Sequence, residues 1–405
     1  MTVSGTVDHA SGYADARPTW AEVDLDAITH NIALIRQRAG RPVKLLIPVK
    51  ANAYGHGVAI VGMHLESLGV DGLATANVDD AVAVRRAGAT LPILLYGAQL
   101  PSGNQYVLEH DLTPTVYSLD SLQSISGLAT DSGRVVNVHV KVDAGMGRLG
   151  VRLDETAAFA RAVVAAPNVR LEGIHTHIPF SDDAGEAWSR RRLRAFAEMV
   201  RSIENEHRIT IDFVQAAASS VFAQALPDTF NTISPGHVTF GLHPITGARA
   251  DASGYRKALT AIRAAVIHIG HRRSGDDLPG AGPGGLEADG TVGVILFGMD
   301  NGYRQSSGGT AAYMLFRGVR CAVLSVSAEY TVVDLSDVPE PSVGELVTVI
   351  GGDRDEEIAV ETVAQQLGAP SAAYWMVGLK NVPYRYTRAA PAQHRVSALL
   401  PECRR

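Results

Sequence analysis

The sequence is poor in the residues that would commit it to several classes of protein. Only Cys321 and Cys403 occur among 405 residues, so no disulfide framework is available and a reducing cytoplasm is the expected setting. No apolar run approaches the roughly 20 residues of a membrane span, which excludes a helical membrane protein. The net charge is only -6, from 36 basic and 42 acidic residues, which leaves no basic field for nucleic acid and no reason to expect an acidic membrane as partner. Residues Met1 to Pro18 are small and polar and lack an apolar core, so they do not read as an ordinary secretory signal, and a flexible tail is expected there. What is present is a normal globular balance, with 46% hydrophobic and 19% charged residues. That length suits two or three ordinary domains, or one barrel with a smaller domain behind it.

The apolar pattern favours the barrel. Short apolar runs alternate with amphipathic segments, and the runs read as strands at Leu45–Lys50, Gly72–Asn77, Pro92–Gly97, Leu112–Ser118, Val136–Asp143, Leu171–Ile178, Asp212–Ser219 and Thr232–Gly241. Helical spacing appears between them at Val78–Ala87, Glu155–Val164 and Glu186–Ile203, and earlier from a cap at Asp26 to about Arg38. Eight strands alternating with helices predict a parallel (β/α)8 barrel. Around Pro244–Tyr255 the pattern changes to β-branched runs separated by turn clusters, with one helix near Ala359–Leu367, so a mainly β domain follows. The glycine- and proline-rich stretch Ser274–Gly290 reads as a mobile loop. The expected organisation is a tail over 1–18, a barrel over 19–245, a β-rich domain over 246–390 and a second tail over 391–405.

One stretch organises the rest: Ile47-Pro48-Val49-Lys50-Ala51-Asn52-Ala53-Tyr54-Gly55-His56-Gly57. Its lysine ends an apolar run, and desolvation at the lip of a core lowers an ammonium's pKa. A lysine so depressed is a nucleophile that can form a Schiff base with an aldehyde. A lone lysine there would read as a snorkelling strand cap; the tyrosine and two glycines that follow make a ligand site the better reading, because glycine lets backbone approach a ligand closely.

This string resembles the cofactor-lysine motif of the alanine racemases, close to V-V-K-A-[DN]-A-Y-G-H-G. These are pyridoxal 5'-phosphate (PLP) enzymes built as a (β/α)8 barrel followed by a β-rich domain. The resemblance implies that Lys50 carries PLP and that Tyr54 touches its phosphate. Lys141-Val142-Asp143-Ala144-Gly145-Met146-Gly147-Arg148 is similar to the family's K-x-D-T-G-M-x-R, with Ala144 for threonine. It implies that Arg148 reaches the cofactor ring oxygen and the substrate carboxylate, and that Lys141, carbamylated in many members, braces it. Glu172-Gly173-Ile174-His175-Thr176-His177 is similar to E-G-x-x-T-H and implies that His177 lies against the pyridine ring. Ser219, Gly236 and His237 fall where the family binds phosphate, and Tyr374 matches a tyrosine expected to add a phenol there. Together these matches run from about Trp20 to Tyr386.

The departures bear on the reaction. Where the family has V-R-P-G, with arginine facing the pyridine nitrogen, this chain has Ile233-Ser234-Pro235-Gly236. Ser234 can donate a hydrogen bond but supplies no charge. Where the family has G-Y-A-D-G, whose tyrosine comes from the partner subunit as the second acid/base, this chain has Gly298-Met299-Asp300-Asn301-Gly302. Methionine carries no proton, and Asp300 and Tyr303 are the nearby groups that could replace it. The family's M-D pair falls on Ala328-Glu329. The resemblance thus implies a PLP-dependent racemase or epimerase acting at Cα of a small amino acid, a homodimer with composite active sites, no metal, and neither nucleic acid nor membrane as partner. Two other readings stay open: a one-base PLP enzyme performing aldol or retro-aldol transfer, transamination or decarboxylation, and a PLP-binding protein without turnover.

Overall fold

The structure is a computed structural model that describes residues 18–97, 99–179, 183–223, 230–243, 254–274, 289–306 and 311–388. The expectations of flexible tails before Pro18 and after 390, most of the Ser274–Gly290 loop, the pattern change at 244–253 and the boundary at 245 lie outside the described residues.

Eight parallel strands form a nearly closed barrel. They run Lys44–Pro48, Gly72–Thr75, Ile93–Leu95, Thr113–Val116, Val136–Asp143, Val169–Ile178, Phe213–Ala217 and Thr232–Ile233, and are numbered one to eight here. Each pairs with its neighbour in chain order from one to seven, and strand eight pairs with strand one through Thr232 and Ile233 beside Lys44 and Leu45. At the seam between seven and eight, the Asn231 side chain accepts the Val214 amide at 2.8 Å while its carbonyl accepts the Lys44 amide at 2.8 Å. Strands one to four are almost wholly buried, because helices cover one face and the barrel interior fills the other. The layer helices include Val58–Ser67, Val78–Arg86, Leu119–Asp131, Thr156–Ala165 and Asp183–His207.

Several boundaries differ from expectation, mostly by a few residues. Strand one ends at Pro48, two residues before Lys50. Strand eight is two residues long, and the run expected to continue it turns into a short helix, Gly236–Thr239. The helix Leu25–Ala39 is capped by Asp24, whose Oδ1 accepts the amides of Asp26 at 2.8 Å and Ala27 at 3.2 Å, so Asp26 sits in the first turn instead.

The second sheet has nine strands in the order Glu356–Ile358, Leu346–Asp353, Tyr313–Phe316, Val319–Val326, Thr331–Asp334, Gly290–Ile295, Leu259–Arg272, Thr19–Asp24 and Tyr384–Thr387. Leu346–Asp353 also pairs with Leu259–Arg272, so the sheet curls back on itself. The first strand among the described residues, Thr19–Asp24, is inserted here, antiparallel to Leu259–Arg272 and parallel to Tyr384–Thr387. Helices Val360–Gln366 and Ala372–Met376 follow, and the second packs against the segment after Lys50: a Cβ on Gly55 would stand 2.5 Å from the Met376 carbonyl oxygen. Among the described residues no helix is long and apolar enough to cross a membrane.

Candidate active site

The segment after strand one is wound the wrong way. Ala51, Asn52, Ala53 and Tyr54 all have φ between 52° and 55°, which makes one turn of left-handed helix from residues other than glycine. Each such residue costs roughly 1–2 kcal/mol, so the turn exists only because its surroundings hold it. Asn52 does most of the holding. Its Oδ1 accepts the Val58 amide at 2.7 Å, its Nδ2 donates to the Tyr384 hydroxyl at 3.0 Å, and its carbonyl accepts the amides of His56 and Gly57, both at 3.0 Å. Asp80, buried at the start of helix Val78–Arg86, accepts the Asn52 amide at 3.3 and 3.4 Å and the Thr75 hydroxyl at 3.1 Å. The turn aims Lys50 into the barrel mouth and tucks Tyr54 beneath it, with the Lys50 Nζ 5.8 Å from the Tyr54 ring centre.

That mouth is a cavity of about 870 Å³. Its lining brings together Lys50, Tyr54, Lys141, Arg148, His177, Ser219, Ser234, Gly236 and His237 from the expected set, and adds Tyr96, Thr176, Gln215 and Ser220. Most of them come from the C-terminal half of a barrel strand or the turn after it, where barrel chemistry collects. Tyr374 is 68% exposed and is not part of this lining. Met299 and Asp300 lie in a short 3-10 turn of the β domain; Met299 is 50% exposed, and the Asp300 carboxylate accepts both bonds of Asn381 Nδ2 at 2.9 and 3.0 Å. Tyr303 is buried beside Phe297, its hydroxyl finding no partner among the described residues.

Among the described residues the charge lining the cavity has one sign: Lys50, Lys141 and Arg148, with no carboxylate. Burial, and then the Arg148 charge, lower the pKa of Lys50. Burial, with Arg148 and Lys50 adding to it, brings Lys141 down to about 7 against the opposing pull of Asp143. His177 is pushed to about 3, chiefly by burial and then by Lys141, Arg148 and Lys50. His237 falls to about 4 for the same reasons, burial first and then Lys50. Both imidazoles are therefore neutral at ordinary pH, and a neutral amine is accessible to Lys50.

Arg148 is held by its own loop. Asp143 Oδ1 accepts the amides of Gly145, Met146 and Gly147 at 2.8, 2.7 and 3.2 Å, and these bonds, with Lys141, outweigh the rise that burial alone would cause and keep the carboxyl below its usual range. At the strand-eight exit, Ser219 Oγ accepts the His237 amide at 3.0 Å. Gly236 lies flat against Tyr54, since a Cβ there would stand 2.5 Å from the tyrosine hydroxyl. Tyr54 also packs edge-on to the His237 ring at 5.4 Å. The turn thus gathers main-chain amide, serine and phenol groups, a donor set that fits a dianionic phosphate. Lys50, an anion cradle and the two further cations Lys141 and Arg148 fit PLP and an amino-acid carboxylate.

Tyr96 is the residue that motif reading missed. Its hydroxyl is 2.6 Å from Ser234 Oγ, and burial raises its pKa to about 12. A tyrosine at the end of a predicted strand was the available signal, but its partner is 138 residues away.

Comparisons with known proteins agree with this geometry. Residues 23–244 match the family model described as alanine racemase, N-terminal domain, and residues 259–386 match alanine racemase, C-terminal domain. The alanine racemase of Desulfovibrio desulfuricans is 30% identical over 373 residues, covering 91% of this chain and 98% of that protein. That of Desulforamulus reducens is 32% identical over 356 residues, covering 87% and 94%. Among solved structures, the alanine racemase of Bacillus anthracis with bound L-Ala-P superposes with a TM-score of 0.81 at 28% identity, covering 92% of this chain and 95% of that one. The alanine racemase of E. faecalis gives 0.80 at 27% identity, covering 92% and 98%. The two family models together take in nearly all of the barrel and the β domain, and the chain belongs to the alanine racemase family.

Proposed function

We propose that the protein is a PLP-dependent amino-acid racemase that moves a proton at Cα of a small substrate, with alanine the first to try. The observation that carries the reading is Lys50 at the head of a left-handed turn, inside a cavity whose charged lining, among the described residues, is cationic. When bound, PLP supplies an aldehyde for attachment and a conjugated ring that stabilises negative charge at Cα. The residues do the rest. Lys50 holds the cofactor and, as a neutral amine, takes or returns the proton on its own face. Arg148, fixed by the Asp143 loop, grips the substrate carboxylate in a forked pair. Lys141 is a buried amine whose pKa is lowered, chiefly by burial and then by Arg148, to about 7, and the neutral amine is the form that accepts carbamylation. Tyr54, Ser219, Gly236 and His237 anchor the phosphate, and the neutral His177 covers the ring.

The second face is proposed to be served across a homodimer. Residues 298–302, 327–330 and 372–381 are knit together: Met299 and Asp300 donate their amides to the carbonyls of Ser327 and Ala328, and Trp375 Nε1 donates to the Gly302 carbonyl at 3.0 Å. They carry the exposed apolar side chains Met299, Tyr330, Tyr374 and Val377, a patch suited to cover a partner's barrel mouth. In such a dimer Tyr374 would border the phosphate end. On this loop Asp300 is the surface group able to carry a proton in place of Met299, with Tyr303 buried behind it. Two cysteines in the whole chain and the lack of an apolar spanning helix among the described residues support action in the cytoplasm.

The attachment is tested by borohydride reduction followed by peptide mapping. The pyridoxyl group is expected on Lys50; finding it on another lysine would overturn the assignment.

A further inference from the structure

Two of the cavity hydroxyls, those of Tyr96 and Ser234, are bonded to each other. Tyr96 leaves strand three and Ser234 leaves strand eight, with strands one and two between them in the ring. Their oxygens are 2.6 Å apart, and either can be the donor, a separation at the short end for paired hydroxyls. The tyrosine is well fixed. Its amide donates to the Thr75 carbonyl at 2.7 Å, its ring packs on Leu46, Ala74 and Leu94, and the His175 ring stands 5.4 Å away.

Proton counting narrows what the pair can offer. Two hydroxyls hold two protons, and the bond between them uses one, so one O–H remains for the cavity. Of the neighbouring polar groups, Thr176 Oγ1 has given its one proton to the Val142 carbonyl at 2.8 Å, and Gln215 Nε2 gives one of its two to the Ala217 carbonyl at 3.0 Å. The sign of the cavity charge then decides the direction. A pyridine nitrogen in a cavity that carries Arg148 and Lys141 is discouraged from taking a proton, so it is an acceptor and needs a donor. Tyr96 must then give its proton to Ser234, and Ser234 must point its own into the cavity.

We propose that Tyr96 is a positioning residue for the cofactor, fixing the Ser234 hydroxyl as the neutral donor to an unprotonated pyridine nitrogen. This rests on the PLP reading above and adds to it a residue and a protonation state. The consequence is a ring that withdraws electrons weakly, which keeps the proton transfer at Cα local and disfavours chemistry that needs a strong electron sink.

The test uses the holoenzyme, Tyr96→Phe, Ser234→Ala and the double variant, loaded with PLP labelled with 15N in the ring. Three quantities are read: the 15N resonance, the absorbance maximum of the bound cofactor, and the rate of cofactor release on dilution. Tyr96→Phe keeps the ring's packing, and circular dichroism checks the fold. The wild-type resonance is expected in the unprotonated range. Both single variants should move the resonance and the maximum in the same direction and speed release about two- to tenfold, the range of one hydrogen bond. The double variant should do no more than Ser234→Ala alone, because the two act as a unit. A Tyr96→Phe enzyme identical to wild type in all three readings, beside a shifted Ser234→Ala enzyme, would reduce Tyr96 to packing. An unmoved resonance in both, or a wild-type resonance in the protonated range, would remove the pair from the nitrogen. Failure of the wider reading looks different: the wild-type chain would hold no cofactor on Lys50 at all.

Discussion

The Asp80 carboxylate accepts the backbone amide of Asn52 at 3.3 and 3.4 Å, and so a residue on the second barrel helix holds the turn that aims Lys50. Asp80 is 8% exposed, so removing its carboxylate strands the Asn52 amide and the Thr75 hydroxyl without an acceptor. Asp80→Ala is expected to cost about 1–3 kcal/mol of stability, measured by denaturant unfolding. Because the lost support belongs to a strained turn, the same variant should also slow capture of added PLP by cofactor-free protein. Normal capture with reduced stability would separate Asp80 from Lys50.

The Asp143 loop makes a distinct prediction. Its carboxylate takes three consecutive amides, and Arg148 rides on the loop they close. Asp143→Ala should leave cofactor absorbance intact, because Lys50 and the phosphate turn are elsewhere, and should raise KM for the amino acid about tenfold, as the loss of ordered carboxylate binding implies. An unchanged KM would mean that Arg148 does not grip the substrate.

A pH dependence follows from the neutral side chains of the cavity. His177 at about 3 and His237 at about 4 lie below the roughly 6.5 of an unfolded histidine. Between those values the unfolded chain binds more protons, so stability rises with pH there and is lost as pH falls from about 6.5 toward 4. Lys141, at about 7 against about 10.4 unfolded, acts with the same sign between those two values. Melting of the cofactor-stripped protein should therefore weaken on acidification below about 6.5, and the double variant His177→Gln, His237→Gln should flatten that limb. A limb unchanged by the double variant would assign the acid sensitivity to other groups.

Much of this was legible in the sequence, for identifiable reasons. Strands one and three announced themselves because burial on both faces leaves uninterrupted apolar runs, and strand five because its valines alternate with polar residues. Lys50, Arg148 and His177 could be picked out, and do line the cavity, because their strings are long and each lies at or just past a strand end. Strand eight was read too long because Val238 to Gly241 is apolar, and a short apolar run does not say whether it is strand or helix. Tyr313–Phe316 and Tyr384–Thr387 escaped notice because four residues are too few for a period, and each is made a strand by partners distant in sequence. The left-handed turn was invisible for the same kind of reason. Ala51 to Tyr54 have no local preference for positive φ beyond that of Asn52, and the conformation is imposed by Asp80, Tyr384 and the helix Ala372–Met376. The link between Tyr96 and Ser234 belongs to the closed barrel and exists nowhere in the linear chain.

Met299 is where the expected chemistry is most exposed to test. It lies on the loop proposed to reach a partner's cavity and carries no proton. A general acid or base typically contributes about 10²–10⁴-fold, so Met299→Tyr should raise racemisation of alanine markedly if the loop aims its side chain at the substrate. Asp300→Asn should lower the wild-type rate if Asp300 serves the second face. No response to either substitution would place the second proton donor outside this loop.

The central claim is that Lys50 moves a proton at Cα of an amino acid, and proton NMR in deuterated water tests it most directly. The holoenzyme is incubated separately with each enantiomer of alanine, and the Cα–H signal and the enantiomer ratio are followed together. Exchange of the Cα proton in at least one enantiomer is predicted, with the other enantiomer appearing as deuterated product, and Lys50→Ala should abolish both. If neither enantiomer of alanine nor of any other small amino acid loses its Cα proton signal, the reaction begins by breaking a different bond, and the racemase reading is wrong.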